Sequence, residues 1–380
     1  MRKASSVLAV LVLASVCVLA SDTALSVYGR TADDADESAS RWTVRYTTQS
    51  GLRLVPTADG GALLFAAEGR RRAWSMLRWD GVSWKRAGLP KQLGKASQLE
   101  VGGSPSGETI WAVATVQHVD DNTEDLWRWS HGSWTRQRSL SAMWNPVIDI
   151  AVDSRDNAWF VTSMDPDGGD STVLYHSGKA WRQSTLPVRS LAAVAATGPD
   201  DVWAVSDAQM SNEVAVTLHW NGTDWKKVDH PCMVESARSS CRGRRYLQQM
   251  SLAAQPDGHA WAVGPAWADG GSPIVLHWDR TQWKQVSLNL VQTALTAVRT
   301  DPASGLWIAA NPASGAPYVI NLRDGRWTKS TLPGGSPADR IIDIAPTPGT
   351  TRLWVQTERH ELADNQRGDK KTSSIYELVQ

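Results

Sequence analysis

The chain has 380 residues, room for one large domain or two ordinary ones, and carries 39 Lys+Arg against 39 Asp+Glu. That balance excludes a global basic field of the kind that gathers nucleic acid or an anionic membrane. With 21 Trp, 6 Tyr and only 2 Phe, the composition points to one structural role for tryptophan, repeated many times.

The first predicted element is a targeting segment. Arg2 and Lys3 precede an apolar run from Val7 to Leu19, shorter than the ~20 residues of a comfortable membrane span. Residues 1–20 are expected to be a secretory signal cleaved after Ala20, which sends the protein outside the cell. An uncleaved signal acting as a tether is the alternative. Cys17 would suit a lipoprotein, but Val16 stands before it where a small residue is expected. Residues 21–40 are polar and acidic, with Asp33, Asp34, Asp36 and Glu37, and are expected to form a flexible linker.

From Arg41 onward one unit recurs. Its last marker is Trp42, Trp84, Trp134, Trp181, Trp225, Trp283 and Trp327, at intervals of 42, 50, 47, 44, 58 and 44 residues. Five residues before six of these stand Trp79, Trp129, His176, Trp220, Trp278 and Leu322, separated from the Trp by turn residues such as Asp80-Gly81 and Asn221-Gly222. Such pairs between apolar-aromatic runs predict tight hairpins with positive φ at both central residues. About 20 residues upstream lies a third marker, Phe65, Trp111, Trp159, Trp203, Trp261, Trp307 and Trp354, preceded in each unit by one more short apolar run. Each unit is thus four strands, A to D from inside to outside, and no helical periodicity interrupts them.

The ends suggest how the array closes. The last unit stops after its third strand, Ile375 to Val379, whereas the first is preceded by a surplus strand, Arg41-Trp42-Thr43-Val44-Arg45-Tyr46. Supplying that strand to the last unit makes an all-β, seven-bladed β-propeller over residues 41–380, with four-stranded antiparallel blades and no open edge at the seam. The sequences Val202-Trp203-Ala204-Val205 and Leu218-His219-Trp220-Asn221-Gly222 to Trp225 resemble the kelch-like propeller repeats of secreted proteins in high-GC bacteria. The resemblance spans about residues 42 to 380 and implies the fold, since propellers serve many functions.

Seventeen of the 21 tryptophans fall on markers, where inter-blade packing explains them, with each N–H expected to find a backbone acceptor. Trp74, Trp127, Trp144 and Trp267 do not, and Trp144 and Trp267 are candidates to stack on a sugar or a partner. B–C and D–A connections leave a propeller at one face, and here they are long and varied, so that face is the expected binding surface. Cys232 and Cys241, in the insertion from Pro231 to Arg245, are expected to form a disulfide, and the neighbouring Arg238, Arg242, Arg244 and Arg245 to be a solvated cluster. No resident cofactor is expected. Asp165, Asp167 and Asp170 are a weak calcium candidate, and Asp120 to Asp125 a weaker one. Comparable A-strand positions read Arg53, Glu100, Asp149, Ala193, Ser251, Thr296 and Asp343, which would line a solvated channel or make a ligand site in which Arg53 balances the three carboxylates.

Signatures of catalysis are missing: there is no Gly-x-Ser-x-Gly elbow, His-Glu-x-x-His or phosphate loop. The expected function is therefore a secreted, monomeric, non-catalytic propeller that binds a glycan, cell-wall component or protein, without nucleic acid or stable membrane insertion. The alternative is a polysaccharide lyase or glycoside hydrolase that uses Glu100, Asp149 and Asp343 at the channel mouth.

Overall fold

The computed structural model describes residues 41–49, 51–68, 73–117, 122–141, 146–162, 170–206, 215–231, 250–264, 272–301, 305–361 and 370–380. These form seven four-stranded antiparallel sheets. Their inner strands are Leu52–Pro56, Gln98–Gly103, Val147–Val152, Leu191–Gly198, Ser251–Ala254, Thr293–Asp301 and Asp339–Pro346. Each inner strand contacts the inner strand of the next blade, and the inner strand of blade 7 contacts that of blade 1, so the ring closes around an axial channel. One short helix, Lys91–Gly94, lies between blades 1 and 2, where the repeat pattern predicts none.

The surplus strand completes the last blade. Arg41–Thr48 pairs antiparallel with Lys370–Val379, from Arg41 against Val379 to Thr48 against Ser373, and becomes the outer strand of blade 7. Buried Glu377 clamps the joint, with its carboxylate 2.5 Å from Arg45 Nη2 and 3.4 Å from Arg352 Nη1. Domain limits at residues 20 and 40 lie outside the described residues.

Tryptophan spacing translates directly into packing. The seven B-strand markers are all buried, with Phe65, Trp111 and Trp307 at 0% exposure. Each of four such rings packs on the C- or D-strand rings of the next blade. Phe65 meets Trp134, Trp111 meets His176 and Trp181, Trp203 meets Trp278 and Trp283, and Trp354 crosses the seam to Trp79 and Trp84. Their centroids lie 4.9–6.1 Å apart, within the range of favourable edge-to-face and tilted pairs. His176 thus does a tryptophan's work at the C-strand marker. The expected backbone acceptors are found for only some rings. Trp84 donates to the Arg45 carbonyl and Trp220 to that of Pro199, whereas the indole nitrogens of Trp79, Trp111, Trp134, Trp283 and Trp354 are buried without a partner.

Two kinds of C–D turn replace the single kind predicted. His131-Gly132 and Asp324-Gly325 are two-residue turns with positive φ at both positions, 50° and 79°, and 50° and 72°. At Asp80, Asn221 and Asp279 the pairing ends on Trp79–Trp84, Trp220–Trp225 and Trp278–Trp283, which leaves four-residue loops. There the side-chain oxygen accepts two backbone N–H groups, as Asp80 does from Val82 and Ser83 and Asn221 from Thr223 and Asp224.

Candidate functional site

The axial channel holds a cavity of about 500 Å³ lined by the inner strands of all seven blades. Pairing with the B strands fixes which residues share a level. Glu100, Asp149, Ala193, Ser251, Ala297 and Asp343 face Val113, Val161, Val205, Val263, Ala309 and Gln356, two residues before the residue opposite the B-strand ring. Arg53 lies opposite Phe65 itself, one level deeper, and Thr296 falls at a bulge between Leu295 and Ala297. The sequence-based level thus misplaces Arg53 and Thr296. The same bulge recurs at Val147/Asp149, Leu191/Ala193 and Ile341/Asp343, and counting residues without it slips the register.

Two guanidinium groups at the deeper level make the same contacts. Arg53 donates from Nη1 to the Leu52 carbonyl and reaches Glu100 on the next blade at 2.9 Å. Arg299, opposite Trp307, donates from Nη1 to the Val298 carbonyl and reaches Asp343 on the next blade at 2.8 Å. Blades 6, 7, 1 and 2 therefore present an alternating arc of Arg299, Asp343, Arg53 and Glu100 around the axis. Arg299 was missed in the sequence because the level counted there falls three residues earlier, at Thr296.

Asp149, on blade 3, differs from the other two carboxylates. Its Oδ1 accepts the Ile150 N–H and its Oδ2 the Val194 N–H of blade 4, both at 2.9 Å. It has no salt-bridge partner among the described residues. Burial pushes its carboxyl up to about 6, against the lowering effect of those N–H groups and of Arg299. Glu124 was read as part of an acidic loop, but it lies in the strand Asn122–Ser130 and is 1% exposed. Both its oxygens accept the Val147 N–H, at 3.0 and 3.1 Å, tying blade 2 to blade 3, and burial pushes it up to about 7. Asp125 beside it is held by Arg136 and by Ser139 Oγ, so neither belongs to a loop calcium site.

At the opposite rim, between blades 5 and 6, a cavity of about 380 Å³ is lined by His259, His277, Asp257, Asp324 and Arg323 among others. His259 Nδ1 lies 3.2 Å from the Trp278 carbonyl, which only accepts, so this nitrogen carries the proton and donates also to His277 Nε2 at 2.9 Å. His277 stacks on Trp261 with centroids 4.1 Å apart, and burial holds it down to about 4.

Other expected site residues fare differently. Trp74 donates to the Ala96 carbonyl and packs in the core between blades 1 and 2, where Trp127 is also buried. Trp144, Trp267, Asp165 and Asp167 lie outside the described residues, and Asp170 is exposed. The expected disulfide is corrected: no disulfide bond is present among the described residues, and Cys232 and Cys241 both fall outside them. Among the described residues no group of three or more His, Cys, Asp or Glu could hold a metal ion, and no helix is long and apolar enough to cross a membrane.

No family model and no curated protein matches the chain. Solved structures do match in fold. The WD40 repeats of RRP9 share 12% identity with a TM-score of 0.58, covering 91% of this chain and 98% of that one. U3-55K shares 13% identity with a TM-score of 0.57, over 90% and 99% of the two chains. YCF48 bound to D1 peptide shares 12% identity with a TM-score of 0.54, over 91% and 98%. At these identities the likeness shows the propeller fold, in agreement with the seven sheets.

Proposed function

We propose that the protein is a secreted, non-catalytic binding propeller that engages a glycan, cell-wall component or protein through its loop-rich face. One observation carries this reading. The described C–D turns span two to four residues, so that rim is closed tightly, while the longer connections at 163–169, 207–214, 232–249, 265–271 and 362–369 all join strand ends at the other rim. Variable connections on a rigid ring are where recognition is usually built. Glu100 and Asp149 stand near the starts of their inner strands and so face the same rim. The three tandem markers support a kelch-like repeat of the kind found in secreted bacterial proteins, and the apolar run Val7 to Leu19 supports export. A peptide is one partner class to include in the screen, since a propeller of matching span, YCF48, is bound to D1 peptide.

The test is a binding screen of polysaccharides, cell-wall fragments and extracellular proteins with the full-length secreted protein. Saturable binding without turnover, weakened by the double substitution of Trp144 and Trp267 to Ala, supports the reading. Ligands that all bind equally to that variant would remove the aromatic platforms from it. A polysaccharide lyase or glycoside hydrolase is the second reading, favoured by the Asp149 carboxyl poised near 6. Oligosaccharide release that vanishes in Asp149→Asn or Glu100→Gln would replace the first reading with the second.

A further inference from the structure

Charge is not shared evenly among the strand layers. The outermost strands, Arg41–Thr48, Trp84–Ala87, Ser133–Ser141, Trp181–Thr185, Trp225–Val228, Trp283–Gln285 and Arg326–Thr331, carry twelve Lys or Arg and no Asp or Glu, in a chain whose two signs balance. Inner strands mix the signs, as Arg53, Glu100, Arg299 and Asp343 do. Charge on an edge strand, lysine above all, deters pairing with a second sheet, but that protection does not call for the exclusion of every carboxylate.

Much of this belt is already engaged. Arg45 and Arg136 bond Glu377 and Asp125, Lys85 and Lys284 bond Asp80 and Asp279 of the C–D loops, and Arg138 and Lys329 lie over the rings of Trp181 and Tyr318. The flank between blades 3 and 4 is different. Arg182 stands opposite Tyr175, and Lys227 opposite Leu218. Residues paired across antiparallel strands share a face, and Tyr175 and Leu218 belong to the core between these two blades, so both cations face the outer groove there. Arg189 lies in the connection between the blades, beside Leu186 and Val188 of the same core. All three cations are exposed and have no ion-pair partner among the described residues. Asp224 and Asp229 bracket the strand Trp225–Val228 beyond its two ends, and neither pairs with them.

Rings line the same groove. Tyr175, Trp220 and Trp225 are half-buried against that core, which leaves part of each ring to solvent. Trp220 gives its N–H to the Pro199 carbonyl, whereas the Trp225 N–H is neither bonded among the described residues nor fully buried. Partly exposed rings with an indole donor suit the apolar faces and hydroxyls of sugars, and guanidinium and ammonium groups beside them suit carboxylates carried on those sugars.

We propose that the outer groove between blades 3 and 4 docks an anionic polysaccharide, with Arg182, Arg189 and Lys227 on its carboxylates and Tyr175 and Trp225 against its sugar rings. This surface lies on the flank of the ring and adds to the binding role of the loop-rich rim without depending on it.

The experiment titrates the full-length protein calorimetrically with oligogalacturonate, neutral dextran oligomers and single-stranded DNA of similar length, at low and at moderate salt. Oligogalacturonate is expected to bind saturably and more weakly as salt rises, with no binding of dextran. Arg182→Gln/Lys227→Gln and Arg189→Gln/Lys227→Gln should each weaken it about fivefold or more. Lys85→Gln/Lys284→Gln removes the same charge from engaged parts of the belt and should leave the affinity within about twofold. These positions are on the surface, and an unchanged unfolding midpoint checks that each variant folds. Equal or tighter binding of DNA, equal binding of dextran, an equal loss in Lys85→Gln/Lys284→Gln, or full affinity in Arg182→Gln/Lys227→Gln would each overturn the proposal. Polysaccharide binding that survives that variant but is lost when Trp144 and Trp267 become Ala would belong to the loop-rich rim and overturn the groove, whereas the reverse pattern supports the groove whatever the rim binds.

Discussion

At the scale of single residues, two buried carboxyls set a pH dependence whose sign can be worked out. Asp149 and Glu124 are raised by burial to about 6 and about 7, from ordinary values of 3.8 and 4.5. Between each pair of values the native state holds a proton that the unfolded chain has released, so stability falls as pH rises through that window. Thermal unfolding at pH 4.5 and pH 7.5 should therefore differ by less in Asp149→Asn/Glu124→Gln than in the parent, by roughly 2 kcal/mol after allowance for partial solvation. An identical pH profile in the two proteins would show that the burial of these groups costs nothing. The tryptophans supply a second residue-scale expectation. Trp203 is 1% exposed and stacks against His219 at 4.3 Å while touching Trp278 and Trp283 of the next blade. Trp203→Ala should cost about 3–5 kcal/mol in equilibrium unfolding, whereas exposed Val82→Ala should cost less than about 0.5 kcal/mol.

Elements were legible in the sequence wherever a ring marks the strand. B-strand runs such as Ile110-Trp111-Ala112-Val113 and C–D pairs such as Trp220 with Trp225 are found where the spacing puts them. Inner strands were harder, because neither the bulge that displaces Thr296 nor the A–B turn length that sets Arg53 and Arg299 opposite the B-strand ring leaves a trace in composition. Glu124 was misread for a related reason: an acidic run normally marks a loop, yet here a strand carries it to the Val147 N–H of the next blade. The turns make a further prediction at this scale. Asp80 caps a four-residue loop through two N–H bonds, so Asp80→Ala should lower the unfolding midpoint slightly without changing the fold by circular dichroism. Loss of cooperative folding in that variant would mean that the loop fixes strand register as well.

The whole molecule depends on a seam between its two ends. Strand Arg41–Thr48 completes blade 7, Trp354 crosses to Trp79 and Trp84 of blade 1, and Glu377 holds Arg45 and Arg352. Glu377 is buried whereas Arg45 and Arg352 are partly exposed, so Arg45→Met, which leaves the buried carboxylate with only the 3.4 Å contact to Arg352, should cost more in equilibrium unfolding than Glu377→Gln, which leaves only solvated guanidinium groups. The loop-rich rim and the channel lining both depend on the inner strands of all seven blades standing in one closed circle. The most direct measurement is equilibrium denaturation of the protein lacking residues 41–48, with and without the missing peptide added back. A closed ring predicts a large loss of stability over the whole propeller, partly restored by the peptide. Cooperative unfolding at the parent's midpoint, indifferent to the peptide, would contradict closure of the ring by its N-terminal strand.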